Sequence, residues 1–422
     1  MSKELAREIF SSALEEALPK NFMQKHCRLD ENILTLKESR YDLSRYKNLY
    51  VFGSGKAAHT MAVEIENILL KRIYKGLVIA PDEGDLKKIE LRVGSHPIPS
   101  KKSIESTKAL VEMMQECDED DLYIFLLSGG SSALMELPLD SISLEELQST
   151  TSLMLSHNLE IHEINAVRKH LSQIKGGRLS HLCRAQGAVL VVSDIIDNAL
   201  DSIGSAPLYC DESSFGDVKN ILDSKEIFSK MPLSVQKSIL KGMRGEIDES
   251  PFFPLRRVEH IILSSNSQAV DRAVGYAISL GISVEKVIEP MEGEVTLMVK
   301  KMLQTAKESP QKCLIFGGEC TVALDGDGMG GRNQHATLLM LKEIKEQDLE
   351  ITFLSASTDG IDGNSDAAGA VVDSSSYSYM LSIDEYIKNF DSYNYLKSEN
   401  SLIMTGPSGT NVIDIALIIK GD

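Results

Sequence analysis

Short β-branched runs alternate with helix-length amphipathic segments along most of the chain, and strand after strand closes on a loop of Gly and Ser. The strand candidates of the first half are NLYVFG, KGLVIAP, IELRVGS, DLYIFLLSGG and GAVLVVSD. Between them lie helical stretches such as KAAHTMAVEIENILLKRI and KKSIESTKALVEMMQE. The second half continues with VEHIILSSN, an amphipathic helix to Leu280, ISVEKVI, KCLIFGGE, EITFLSASTDG and VIDIALIIKG. This alternation predicts an α/β class with largely parallel sheets. A single core stops growing near ~250–300 residues, so a chain of 422 residues is expected to form two domains. The Pro-bearing, charged interval around GEIDESPFFPLRR is the linker candidate. It divides the chain into residues 1–246 and 258–422, with 247–257 between them.

The loops FGSGK, LSGGSSA, FGGE, STDGIDG and MTGPSGTN all follow strands. In open α/β sheets, ligands bind at the carboxyl ends of strands, where small residues let backbone N–H groups approach. Five such loops spread over both halves predict an active site in a cleft between two domains.

Charge narrows the choice of ligand. Lys and Arg number 44 against 62 Asp and Glu, a formal net charge of −18. Such a balance argues against a sequence-independent nucleic-acid binder. An anionic small molecule remains open, given a local basic pocket. No apolar stretch is long enough for a membrane span, and MSKELAREIFSSALEEALPK reads as a charged amphipathic helix without a signal-peptide core. The six cysteines form no CxxC pair, which points to a reduced, cytoplasmic protein without a cysteine metal site.

Several motifs carry chemistry. In VFGSGKAA, Gly53, Gly55 and Lys56 stand between a strand and a helix; the spacing is not that of a Walker A loop. The segment reads either as a phosphate or carboxylate cradle with Lys56 as its charge, or as a tight turn with a solvated lysine. Ser128, Gly129, Gly130, Ser131 and Ser132 form a turn suited to backbone contacts with phosphate. NAVRKHLSQIKGGRLS concentrates Arg168, Lys169, Lys175 and Arg178. On one continuous helix ending at Gly176-Gly177, Arg168 and Lys175 would share a face, as an anion site or a solvated basic surface. Asp194, at the end of a strand, suits a general base, a Mg²⁺ ligand or a helix cap. Glu319 follows another strand, and Arg332, opening a helix beside Asn333, is placed for bidentate anion binding. DGDG reads as a hairpin turn. Asp359, Asp362 and Asp366 could hold a divalent cation or simply make turns. His96, in GSHPIPS, reads as a loop histidine.

Taken together, these blocks resemble the glycerate kinase family whose C-terminal module is called MOFRL. The resemblance runs in order through GSGKAA, GSHPIP, SGGSSAL, INAVRKHLSQIKGGRL, SDI, GGECTV with GGRNQ, TDGIDG with DAAGA, and TGPSGTNV. It implies a Rossmann-like N-terminal domain, a distinct α/β C-terminal domain, and ATP- and Mg²⁺-dependent phosphorylation of D-glycerate to 2-phosphoglycerate. By motif it implies Lys56 and Asp194 as catalytic residues, and Arg332, Glu319 and Asn333 at the substrate, where the basic cluster adds Arg168. Gly53, Gly55, Ser128 to Ser132 and Lys175 fall to the nucleotide phosphates, with Asp194 and Asp359 as metal candidates. The expected partners are glycerate and ATP, with no nucleic acid or membrane, and a homodimer is one candidate assembly.

Two blocks depart from the family pattern. SGGGSA reads SGGSSA here, with Ser131 in place of Gly. The segment SDVxGDD followed by IASGPT reads SDIIDNALDSIGSAPL, so Asn198 and Ala199 replace an acidic pair and Ser205-Ala206-Pro207-Leu208 replaces SGPT. Two other classes fit part of the pattern. One is an NAD(P)-dependent hydroxypyruvate reductase, although the dinucleotide fingerprint has Ala58 at its third position and no evident ribose-binding acid. The other is a non-catalytic sugar-acid-binding protein.

Overall fold

In the computed structural model, which describes residues 2–322 and 326–421, all ten strand candidates form strands. The chain divides into two units. The first comprises Met23–Val192 and Asn198–Leu263; the second comprises Met1–Phe22, Ser193–Asp197 and Ser264–Asp422.

The first unit opens with an antiparallel meander of β1 (Cys27–Asp30), β2 (Ile33–Leu36) and β3 (Ser39–Asp42). Its main sheet contains β4 (Leu49–Ser54), β5 (Ile73–Ala80), β6 (Ile89–Val93), β7 (Leu122–Leu127), β8 (Gln186–Val192) and β9 (Val258–Ser264). The order is β6-β5-β4-β7-β8-β9, with parallel pairing from β6 through β8. β4 and β7 are buried at every position, the signature of strands covered on both faces. The strand order reverses between β4 and β7, which makes their carboxyl ends the topological switch point where such sheets bind ligands. A helical layer adds its own core of Leu147, Met154, Val167, Leu222 and Ile239.

The second unit holds β10 (Val284–Lys286), β11 (Cys313–Gly318), β12 (Ile351–Ser357), β13 (Gly369–Val372), β14 (Leu402–Ile403) and β15 (Asp414–Lys420), in the order β10-β11-β15-β12-β13-β14. Only β10 and β11 pair in parallel; the others are antiparallel. This differs from the expected parallel sheet because the last strand returns between β11 and β12. Asp414 at its head lies in register with Gly318 and Ser357, the final residues of those two strands.

The grouping of residues differs from the expected division at 247–257. The N-terminal helix Ser2–Ala17 buries Ala6, Ile9, Phe10 and Ala13 within the second unit. There Arg7 Nη1 donates to the carbonyl of Leu402 at 3.1 Å. β9, expected in the C-terminal domain, is the edge strand of the first sheet. The interval before it packs inside the first unit: Asp211 N donates to Pro251 O at 3.0 Å, and Arg257 Nη2 donates to Ser180 O and Cys183 O. All six cysteines are buried and unbridged. Among the described residues, no helix is long and apolar enough to cross a membrane.

Candidate active site

At the switch point of the first unit, the loops after β4 and β7 clasp each other. Gly55 has φ 136°, and a Cβ there would lie 2.1 Å from Ser128 Oγ. Ala57 N donates to that same oxygen at 3.0 Å, and Lys56 N donates to Gly129 O at 2.8 Å. Gly53 is equally confined, its would-be Cβ 2.7 Å from Leu126 O. Only glycine fits so close an approach. The chain then turns at Gly130, φ 82°, into the single helical turn Ser131–Leu134. Among the described residues, the amides of Gly129, Gly130, Ser131 and Ser132 donate to no acceptor. Ser131 Oγ is fully buried and also lacks a partner. A run of unsatisfied amides with a buried hydroxyl beside it is an anion nest. Two side chains flank it: a Cβ on Gly130 would lie 3.1 Å from both Lys56 Cγ and His96 Cδ2.

The departing SAP segment locks onto this turn. Ser205 Oγ lies 2.7 Å from Ser132 Oγ, while Gly176 N and Gly177 N donate to Ser205 O and Ala206 O. The basic cluster is arranged differently from the expected single helix, which runs from Ile161 to His170 and stops. Lys175 therefore shares no helical face with Arg168. It is 1% exposed, and its ammonium is held by Glu136 and Met135 O. Burial pulls its pKa below the ordinary lysine range. Lys175 is thus a core ion-pair partner rather than a phosphate ligand. Lys169 bonds Asp211, and Arg178 donates to Asp248 O. The Arg168 side chain makes no hydrogen bond among the described residues, and burial lowers its pKa. Arg178 likewise keeps Nε and Nη2 without a partner.

In the second unit, the register of β15 gathers three motifs. Arg332 Nε and Nη2 grip Asp414 at 2.5 and 3.1 Å, and Nη1 reaches Glu319 at 2.5 Å. Burial alone would lower the pKa of Arg332; the bond and charge of Asp414 outweigh it. A guanidinium has five N–H groups, so these three contacts leave one on each terminal nitrogen for an outside carboxylate. Asp362 caps the helix Arg332–Glu346, accepting from Asn333 N at 3.1 Å and Gln334 N at 2.8 Å. Asn333 spends its side chain on Asp362 and Ser355, so it supports the site from within. Gly331 leaves room for this cap: a Cβ would stand 2.3 Å from Asp362 Oδ1. Asp359 accepts from Ser357 Oγ and Ile361 N. Asp194, half-buried, follows Ser193, whose N donates to Ser264 O at 2.9 Å. No group of three or more His, Cys, Asp or Glu among the described residues is placed to hold a metal. The hairpin expected at DGDG begins at Asp325, outside the described residues.

Sequence reasoning read His96 as a loop histidine and did not single out Asp414 or Glu136. Asp414 had one available signal, an acid heading the fully apolar run IALII. The other two reach their places through loops whose course the sequence does not encode locally.

Comparison with known proteins agrees with this architecture. Residues 5–240 match the domain of unknown function DUF4147, and residues 312–414 match the MOFRL family. The glycerate 2-kinase of Pyrococcus horikoshii is 34% identical over 99% of this chain and 97% of its own length. The D-glycerate 2-kinase of Thermotoga maritima is 35% identical over 98% of this chain and 97% of its own. The crystal structure of the Thermotoga maritima glycerate kinase superposes with a TM-score of 0.84, covering 99% of both chains at 33% identity. A crystal structure from Pyrococcus horikoshii gives the same TM-score at 34% identity, covering 100% of this chain and 99% of its own. With DUF4147 followed by MOFRL, and kinship along its whole length, the chain belongs to the MOFRL-containing glycerate kinase family.

Proposed function

We propose that the protein transfers the γ-phosphoryl group of MgATP to the 2-hydroxyl of D-glycerate, giving 2-phosphoglycerate and ADP. The observation that carries this reading is the run of four amides at Gly129–Ser132, beside Lys56 at the switch point of the parallel sheet. Phosphoryl transfer asks the protein chiefly for positioning and for stabilisation of charge on the phosphoryl oxygens. The nest supplies oriented N–H groups, Gly53 and Gly55 give close access, and Lys56 adds a full charge. Arg332 offers its two remaining N–H groups to the glycerate carboxylate, with Asp414 and Glu319 fixing its plane. Arg168, whose guanidinium makes no hydrogen bond of its own among the described residues, is a further candidate donor for an anion. Asp194 accepts the hydroxyl proton as the glycerate oxygen bonds to phosphorus and the bond to the bridging oxygen of ADP breaks. The metal enters with the nucleotide, which needs only one or two protein carboxylates; Asp194 and Asp359 are the candidates. The buried, unbridged thiols suit a cytoplasmic enzyme.

A coupled ADP-release assay with D-glycerate, set beside NADH oxidation with hydroxypyruvate, tests the proposal. Phosphorus NMR of the product separates the 2- from the 3-phosphate. The expected result is glycerate-dependent ADP release that EDTA abolishes, with no change in the thermal melt. Hydroxypyruvate-dependent NADH oxidation without ADP release would replace the kinase with a reductase, and full turnover in EDTA would contradict the MgATP requirement.

A further inference from the structure

His96 lies in a loop held beside the nest. Two anchors fix the GSHPIP segment around it. Gly94 is pressed onto the turn after the nest, its would-be Cβ 2.6 Å from Leu134 O. Ser95 N donates to Ser103 Oγ at 2.9 Å, and Ser95 Oγ lies 2.7 Å from Ser100 Oγ, tying the loop to the start of the helix Lys101–Gln115. The imidazole is exposed, so it is not a core residue. The edge it turns toward Gly130 carries Cδ2 and Nε2, 3.1 and 3.5 Å from the point where a Gly130 Cβ would stand. Lys56 Cγ is 3.1 Å from that same point.

We propose that His96 is a further catalytic residue, whose Nε2–H hydrogen-bonds a non-bridging oxygen of the transferred phosphoryl group across the turn from Lys56. This rests on the reading of Gly129–Ser132 as the phosphate cradle. The transition state spreads charge over three equatorial oxygens. Backbone amides, an ammonium and an imidazole around one glycine give that group donors of three kinds. His96 keeps its proton throughout; only the phosphorus–oxygen bonds to glycerate and ADP change.

The test uses the full-length enzyme with saturating MgATP and D-glycerate. His96→Ala should lower kcat by about 10²-fold, the scale for one preorganised donor, with little change in the KM for glycerate. The amide nitrogen of His96→Gln reaches the position of Nε2, so this variant should recover about tenfold of the loss; His96→Asn, too short, should not. A purely structural loop residue would not sort Gln from Asn. This contrast decides the matter even if the alanine variant melts early. Equal kcat in the Gln and Asn variants, or an alanine variant within about threefold of the parent, would overturn the inference. Lys56→Ala measured alongside separates the two readings. If it loses kcat while His96→Ala does not, the cradle stands and His96 falls. If neither loses kcat, the cradle itself is wrong.

Discussion

Arg332 holds Asp414 side-on, Nε 2.5 Å from one carboxylate oxygen and Nη2 3.1 Å from the other. Asp414 is 1% exposed and the Arg332 side chain 29%. The pair therefore joins a buried charge at the head of the central strand to a guanidinium that still reaches outward.

From this pairing, Arg332→Lys should harm the enzyme although charge is conserved. An ammonium cannot match two oxygens of Asp414 and a third carboxylate at once. The expected kinetic result is a raised KM for glycerate with the KM for ATP little changed. The melting temperature should also drop, because Asp414 loses part of its bidentate partner in a buried setting. Equal weakening of both substrates would move Arg332 to the nucleotide.

Lys175 and Glu136 give a prediction about stability alone. Both side chains are nearly inaccessible, at 1% and 4% exposure. Removing one member of a buried pair strands the other, at a cost of about 3–5 kcal/mol. Lys175→Met should therefore lower the midpoint of urea unfolding strongly. Lys175→Met combined with Glu136→Gln should recover much of it, since Ser172 Oγ and Leu137 N still bond residue 136. A Lys175→Met protein as stable as the parent would return Lys175 to the list of anion ligands.

Much of this was legible in the sequence, and the exceptions have physical causes. The strands β4, β7, β8 and β15 are nearly continuous apolar runs because both faces of their sheets are covered. The meander β1–β3 escaped notice because its strands are four residues long and mix Arg28, Asp30 and Arg40 with apolar positions. The helix at Arg168 was expected to continue to Gly176-Gly177, a normal helix stop. It stops because Ser172 bridges to Pro138 and Lys175 turns inward to Glu136, contacts distant in sequence. The candidate site followed the same rule. Gly-rich loops disclosed where backbone approaches a ligand, whereas the partners of Arg332 and the neighbours of Lys56 depended on strand order.

Asp362 predicts a pH dependence. Burial pushes its carboxyl up to about 7, the bonds from Asn333 and Gln334 pull it back, and the nearby charge of Asp414 adds to the rise. An acid whose folded pKa lies above its unfolded value lends stability that is complete below about pH 4 and lost as pH rises through about 7. Asp362→Asn stays neutral throughout. The stability of the parent relative to this variant should therefore decline by roughly 2–3 kcal/mol between pH 5 and 8. Paired urea titrations across that range measure it. A difference that stays constant or grows with pH would mean that the helix N-terminus keeps Asp362 ionised at all these values.

Lys56→Ala should cut kcat by on the order of 10²-fold or more, the scale for losing one preorganised charge at a reacting centre. The argument rests on the clasp between the two switch-point loops. Lys56 N is tied to Gly129 O at 2.8 Å, and its stem passes the glycine at the centre of the nest. The ammonium and the four amides can then address one anion. The fold should tolerate the change, because the loop is fixed through backbone groups: Ala57 N on Ser128 Oγ and Ser128 N on Ser54 O. The measurement is kcat at saturating MgATP and D-glycerate beside a thermal melt of both proteins. A kcat near that of the parent would leave Gly53–Ala57 as a turn and nothing more. A large fall in melting temperature would make Lys56 a structural partner, and the kinetic loss would then report unfolding rather than chemistry.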